Sequence, residues 1–210
     1  MWEMIIKGGP LMVLIILSSV IAFAVVIERL WHLRRAKINT EHFMESISRV
    51  LKRNKIMDAI DVCNATPGPI AHILKAGILK HDRARSEIKE AIEDAGLHEV
   101  PRLEKNLGVL ATIAHITPLL GLLGTVTGMV RAFQVIEQKA TAFVPVNPGD
   151  LAGGIWEALV TTVAGLAVAI PTYVAYNFLV SKVDGFVLEM EKSATDLINI
   201  LGSKRDDDEV

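Results

Sequence analysis

The chain is 210 residues long, 51% hydrophobic, with a mean hydropathy of +0.39 and a formal net charge of -2, so nothing in its charge favours a nucleic-acid partner. The single cysteine, Cys63, excludes an intrachain disulfide and a cysteine-cluster metal site, and the six histidines show no HxxxH or HExxH spacing. There is no GxGxxG, GxxxxGKS/T or GxSxG pattern, so neither a cofactor, a metal nor a catalytic residue is expected, and the chain does not read as an enzyme.

Residues 1–9 read as a short external segment ending in Gly8-Gly9 before Pro10, a natural break ahead of a helix. The first span, 10–31, is apolar except for Ser18 and Ser19 until Glu28-Arg29, with Trp31 as an interface anchor. A secretory leader places its basic residues before the apolar run; here Arg29, Arg34, Arg35 and Lys37 follow it. The basic flank should therefore stay cytoplasmic and the N-terminus should face outward, as in a signal anchor.

Residues 32–105 form a cytoplasmic, charge-rich helical region, for 15 of the chain's 22 Lys and Arg lie between Arg29 and Lys105. Helical spacing groups Phe43, Ile47, Val50 and Leu51, then Ile56, Ala59, Ile60 and Cys63. A break at Thr66-Pro67-Gly68-Pro69 precedes Ile70, Ile73, Leu74, Gly77 and Ile78, and residues 86–100 carry Ile88, Ala91, Ile92 and Ala95 on one side. So short a region is expected to pack as a collar against the spans, with Cys63 as a reduced packing residue. Its basic excess reads as a solvated feature, with anionic membrane lipids as the alternative partner.

The second span, 106–134, contains residues 107–130, a run of 24 without a formal charge between Lys105 and Arg131. Roughly 20 helical residues cross a bilayer core of about 30 Å. Ala111, Ala114, Pro118, Gly121, Thr125, Gly128 and Ala132 recur in steps of three and four, which places small residues on one helix face. Such a face packs membrane helices closely or lines a narrow cavity, and the pattern alone leaves both open. The loop 135–151 is poor in basic residues and is expected outside. The third span, 152–181, is uncharged from Ala158 to Ser181 and repeats the small-residue ridge with Ala158, Thr162, Gly165, Ala169 and Thr172; Pro171 should kink it. Residues 182–202 continue as an amphipathic cytoplasmic helix and 203–210 read as a solvated, disordered tail. The fold class is thus an all-α integral membrane protein with three transmembrane helices, N-terminus out and C-terminus in.

Thr125 stands six residues before Arg131 on an outward-going helix, and Thr162 five after Glu157 on an inward-going one. At a 1.5 Å rise both hydroxyls lie ~8–9 Å inside the charged ends, at one depth. Hydroxyls order water and relay protons but do not ionise. No Asp, Glu, Lys or Arg lies in the uncharged cores, and Glu157 sits at a mouth. A site that takes up and releases protons needs an ionisable group at membrane depth, so a partner chain should supply the carboxylate. His115 is read as a packing histidine hydrogen-bonded to a neighbouring helix and is assigned no proton role.

KGGP with its apolar run into ERLW (7–31), PLLGLLGTVTGM (118–129) with Phe133, and LAGGIWEALVTTVAGLAVAIP (151–171) closely resemble the ExbB/TolQ branch of the MotA/TolQ/ExbB proton-channel family. The resemblance covers the membrane parts and their flanks. It implies an inner-membrane motor subunit: a homopentamer around two copies of a single-span ExbD- or TolR-like partner whose aspartate carries the proton. It also implies that Thr125 and Thr162 line the pore, with Glu157 as the acidic residue at the mouth of the third span. Ala114, Pro118, Gly121, Gly128, Ala158, Gly165 and Ala169 then form smooth pore or packing stripes. His115 departs from the family, where that position is usually small and apolar, which leaves a local packing variant or an added pH sensitivity as its readings. The expected output is proton-motive-force-driven work through a TonB-like protein on outer-membrane transport. The alternatives are a TolQ-type envelope-maintenance subunit acting through a TolA-like protein, a gliding motor, or a non-conducting scaffold.

Overall fold

The structure, a computed structural model, describes residues 8–208; Lys7 and the rest of 1–7, together with 209–210, lie outside the described residues. Among the described residues all regular structure is helical: α1 Gly9–Ala36, α2 Thr40–Lys52, α3 Ile56–Ala65, α4 Pro69–Ile78, α5 Arg85–Glu104, α6 Leu107–Thr141 and α7 Pro148–Asp208. α1, α6 and α7 are long and apolar enough to cross a membrane.

The chain divides into two compact units. The first holds residues 8–28 and Asn106–Phe178; the second holds Arg29–Lys105 and the chain from Leu179 onward. α1 and α7 contribute residues to both.

In the first unit, α1 begins at Gly9, whose φ of +65° is open mainly to glycine, with Pro10 in its first turn, where the missing N–H costs nothing. Ser18 Oγ donates to Leu14 O at 2.8 Å, so its hydroxyl is satisfied within the helix. Leu119, Leu122, Val126, Val163, Ile170 and Val174 are all exposed. In water such a surface invites association; against lipid it is what the solvent requires. The expected loop 135–151 is shorter in the structure, because α6 runs through Thr141 and α7 starts at Pro148. α6 ends at a capping turn in which the Ala142 N–H donates to Gln138 O and the next residue, Phe143, adopts a left-handed φ of +55°. The described part of the expected tail, 203–208, continues α7 as helical backbone.

In the second unit each helix stops at a local signal. Asn39 caps α2 by accepting from His42 N at 3.1 Å. Asn54, at φ +59°, closes the turn after α2 in the left-handed conformation asparagine tolerates. Pro67 holds Thr66 extended and ends α3. Gly68 has φ +113°, and a Cβ there would stand 2.8 Å from Ala36 O, so only glycine fits between α3 and α4. Pro69 then opens α4 at its first turn. α5 continues through Pro101 to Glu104, longer than the 86–100 pattern suggests.

The core of the second unit is aliphatic: Phe43, Ile47, Leu51, Ile70, Leu74, Ile78, Ile88, Ile92 and, from α7, Leu179, Val183, Leu197 and Leu201 are buried. Cys63 is buried and free, and burial pushes its thiol up to about 11, against a smaller downward pull from Lys75. Polar ties fix α7 in this unit: Thr40 Oγ1 donates to Glu189 Oε2 at 2.8 Å and Arg85 Nη2 to Asn199 Oδ1 at 2.7 Å. A groove of about 740 Å³ lies between α5 and the second-unit part of α7, lined in part by Leu97, Val100, Val187 and Met190.

Candidate functional site

The ridges of small residues on α6 and α7 meet each other within the one chain. A Cβ on Gly128 would stand 2.5 Å from Gly154 O and 2.9 Å from the Ala158 methyl. A Cβ on Gly165 would stand 2.8 Å from Thr117 O, and one on Gly121 3.1 Å from Thr162 Cα. A Cβ on Gly124 would run into the Thr161 side chain. The two backbones are therefore in direct contact, which is how helices gain van der Waals energy where lipid offers no hydrophobic drive. Ala114, Ala158 and Ala169 are buried in this first unit and Pro118 is half-buried.

The buried hydroxyls of the seam are Thr117, Thr161 and Thr172, of which the sequence pattern singles out only Thr172. Each donates to a carbonyl of its own helix, Thr117 to Ile113 O at 2.6 Å, Thr161 to Glu157 O at 2.9 Å and Thr172 to Val168 O at 2.7 Å. These hydroxyls are spent on the backbone and have nothing left to donate. Their signal was in the sequence, since Thr117, Gly121, Gly124 and Gly128 also step by three and four.

Thr125 and Thr162 are half-buried, along one edge of the seam. Thr125 Oγ1 donates to Leu122 O at 2.6 Å. Thr162 Oγ1 lies 3.0 Å from Gly121 O and 3.2 Å from Ala158 O, so it bridges α7 to α6. Both keep oxygen lone pairs for an incoming donor.

At one end of the seam, Arg131 Nη1 lies 2.5 Å from both oxygens of Glu157. The Glu157 side chain is 13% exposed and that of Arg131 51%. A Cβ on Gly9 would collide with the Glu157 carboxylate, so α1 covers the acid with bare backbone. Neither the pairing nor the role of Gly9 was read from the sequence. The pairing was available there, since Arg131 and Glu157 are the charged fences at the same end of two antiparallel spans.

His115 differs from its expected role. It is exposed, and Nδ1 lies 2.6 Å from Ala111 O of its own helix, not from a neighbour. A carbonyl only accepts, so Nδ1 carries the hydrogen. The His115 ring meets that of Tyr173 on α7 edge-on, with centroids 6.3 Å apart and planes at 87°. Among the described residues no group of three His, Cys, Asp or Glu is placed to hold a metal ion.

The profile of the MotA/TolQ/ExbB proton channel family matches residues 65–192. The chain is 28% identical to an ExbB homolog of Methanothermobacter thermautotrophicus over 90% of its own length and 66%, just under two thirds, of that protein. It is 30% identical to an ExbB-like biopolymer transport protein of Synechocystis, over 81% of this chain and 80% of the other. With the biopolymer transport protein ExbB of Neisseria meningitidis it shares 28% identity over 94% of this chain and 96% of the relative.

Proposed function

Because the chain belongs to the MotA/TolQ/ExbB proton channel family, as an ExbB-like multi-pass membrane protein of biopolymer transport, we propose that it is the channel-wall subunit of a proton-driven motor. In this reading it sits in a bacterial inner membrane with its N-terminus outside. A homopentamer surrounds two single-span, ExbD- or TolR-like partners, and a partner carboxylate carries the proton. Protons enter near Glu157 and pass the level of Thr125 and Thr162. There they neutralise the partner acid, whose loss and regain of charge changes the protomer face it prefers. A proton crossing 100 mV releases about 2.3 kcal/mol, enough to bias one such step. A TonB-like protein carries the work to outer-membrane transport.

The observation that carries this reading is the edge of the α6/α7 seam. Thr125 and Thr162 present half-buried hydroxyls there, with the Glu157–Arg131 pair at one end and no Asp, Glu, Lys or Arg between Ala158 and Ser181 or over residues 107–130. A wall of that kind orders water and leaves charge to a partner. Gly121, Gly128, Ala158 and Gly165 support it less as a smooth lumen than as the contact that holds Thr162 rigidly in place. Replacing Thr162 by Ala should abolish energy-dependent function while the complex still assembles. Thr162→Ser, which keeps the hydroxyl, should be mild. Full activity in Thr162→Ala would defeat the channel reading.

A second reading, a non-conducting scaffold, draws on the fact that the small residues are used within the protomer. It requires the purified complex with its partner to pass no protons, a result that proteoliposome flux measurements decide.

A further inference from the structure

The channel reading stops at the threonine level and leaves open what receives the proton beyond it. Tyr173 follows Thr162 by eleven residues. That spacing is ~1,100° of helical rotation, so the two lie within ~20° on one face of α7 and ~16 Å apart along it. His115 precedes Thr125 by ten residues, ~15 Å along α6 and ~80° around it from the Thr125 line, so its ring reaches the threonine side only through its contact with Tyr173. The two rings therefore reach one level, as their edge-on contact shows, on the side of the threonines away from Glu157 and Arg131.

His115 and Tyr173 are both exposed on the protomer, in mid-span. An imidazole and a phenol facing hydrocarbon would each leave polar atoms unsatisfied, at a cost that water or a polar partner removes. Between His115 and Thr125 stands Pro118, which has no N–H to give Ala114 O, so a backbone acceptor loses its helical donor on that stretch. The sequence of polar groups along α6 and α7 is then an ion pair, two hydroxyls, a backbone acceptor and a titratable ring.

We propose that His115, braced by Tyr173, is the proton-releasing relay of the channel: it takes the proton that leaves the partner's acid and delivers it to water on the far side. The proposal rests on the channel reading above and extends it. With Nδ1–H held by Ala111 O, the neutral ring leaves Nε2 as a bare acceptor. Nε2 accepts one proton from a bound water or acid, which gives an imidazolium protonated at both nitrogens. It then returns that proton to water beyond, while Nδ1–H stays on Ala111 O and no other bond changes. Tyr173 is the titratable group that faces the ring from α7; it positions the imidazole by its edge and is not itself required to ionise.

The test is proton flux through the complex, purified from its native membrane with the subunit that accompanies it, in liposomes holding a pH-sensitive dye, across a range of internal pH. His115→Gln keeps a side chain that hydrogen-bonds but cannot be protonated. It should lower flux by about a hundredfold, the low end of what a positioned proton-transfer group contributes, and flatten its dependence on internal pH. Imidazole trapped inside the vesicles should restore part of the loss. Tyr173→Phe should conduct normally and Tyr173→Ala poorly. Wild-type flux and pH profile in His115→Gln overturn the relay, and if Thr162→Ala is dead in the same assay the channel reading survives alone. A wild-type complex that conducts nothing overturns both. Should His115→Gln fail to assemble, diethylpyrocarbonate modification of the wild-type complex, located by mass spectrometry, replaces it. Modification at His115 must stop flux and hydroxylamine must restore it; an unreacted His115, or undiminished flux after reaction, overturns the relay.

Discussion

The two units of this chain are held together by opposite means. In the first, α6 and α7 touch through glycine and alanine, with backbone against backbone at Gly128–Gly154 and Gly121–Thr162, and large aliphatic side chains such as Leu119, Leu122, Val163 and Ile170 face outward while Leu110 and Ile15 are buried. In the second, Ile47, Leu51, Ile70, Leu74 and Leu197 are inside, and charged residues cover the outside. Water makes burial of large apolar surface the dominant drive, at roughly 25 cal/mol per Å². Lipid removes that drive, so close approach and hydrogen bonding decide which faces meet. Leu119 and Leu122 are surface residues in the first unit, where Leu74 and Leu197 are core in the second. What differs is the solvent each unit is built for.

The comparison breaks most severely at the seam. Gly124→Leu or Gly128→Leu must part α6 from α7, because neither Thr161 nor the Gly154 backbone can yield. The expected result is loss of the assembled complex, seen as its disappearance from a membrane extract on size exclusion. A leucine that assembles normally would show that the two spans are not in contact. Leu74→Ala makes the corresponding test in the second unit, where an enlarged cavity should cost about 2–5 kcal/mol, read by thermal or denaturant unfolding. The same Leu→Ala change at exposed Leu119 should be nearly silent there, and equal effects at the two sites would erase the distinction.

Smaller effects sharpen the contrast. Cys63 reports on the second unit alone: with its thiol raised to about 11, maleimide should label it slowly in the folded protein at neutral pH and faster as pH rises or the unit opens. Rapid neutral-pH labelling of folded protein would contradict its burial. The smallest effect is expected at Glu99, whose carboxylate accepts from Arg102 at 2.7 Å and lies 3.2 Å from His72 Nδ1. His72 and Arg102 are mostly exposed, so His72→Gln should change stability by well under about 1 kcal/mol, measured as the shift in unfolding midpoint.

The distance between expectation and structure follows from the same physics. The helical class and the three long apolar helices were legible, because uncharged runs such as 107–130 and a 3.6-residue period are properties of consecutive residues. The break at Pro67-Gly68-Pro69 was legible for the same reason: proline and glycine act on their own backbone. The loop 135–151 is shorter than its pattern suggests because a helix can carry polar residues such as Gln134, Glu137, Gln138 and Lys139 well past its apolar part. At the candidate site the ridges of small residues were readable, but the facing ridge was not. A periodic pattern says that a face is smooth and leaves its neighbour unnamed.

By itself, then, the sequence determined which segments are helical, which are apolar enough for lipid, and where polar atoms sit along each span, since all of these depend on residues near one another in the chain. Tertiary structure alone decided that the small ridges of α6 and α7 close on each other, that Gly9 and Arg131 converge on Glu157, and that the His115 ring meets that of Tyr173. Those contacts join residues dozens of positions apart. Their partners are chosen by the crossing of two helices, a quantity that no local pattern encodes.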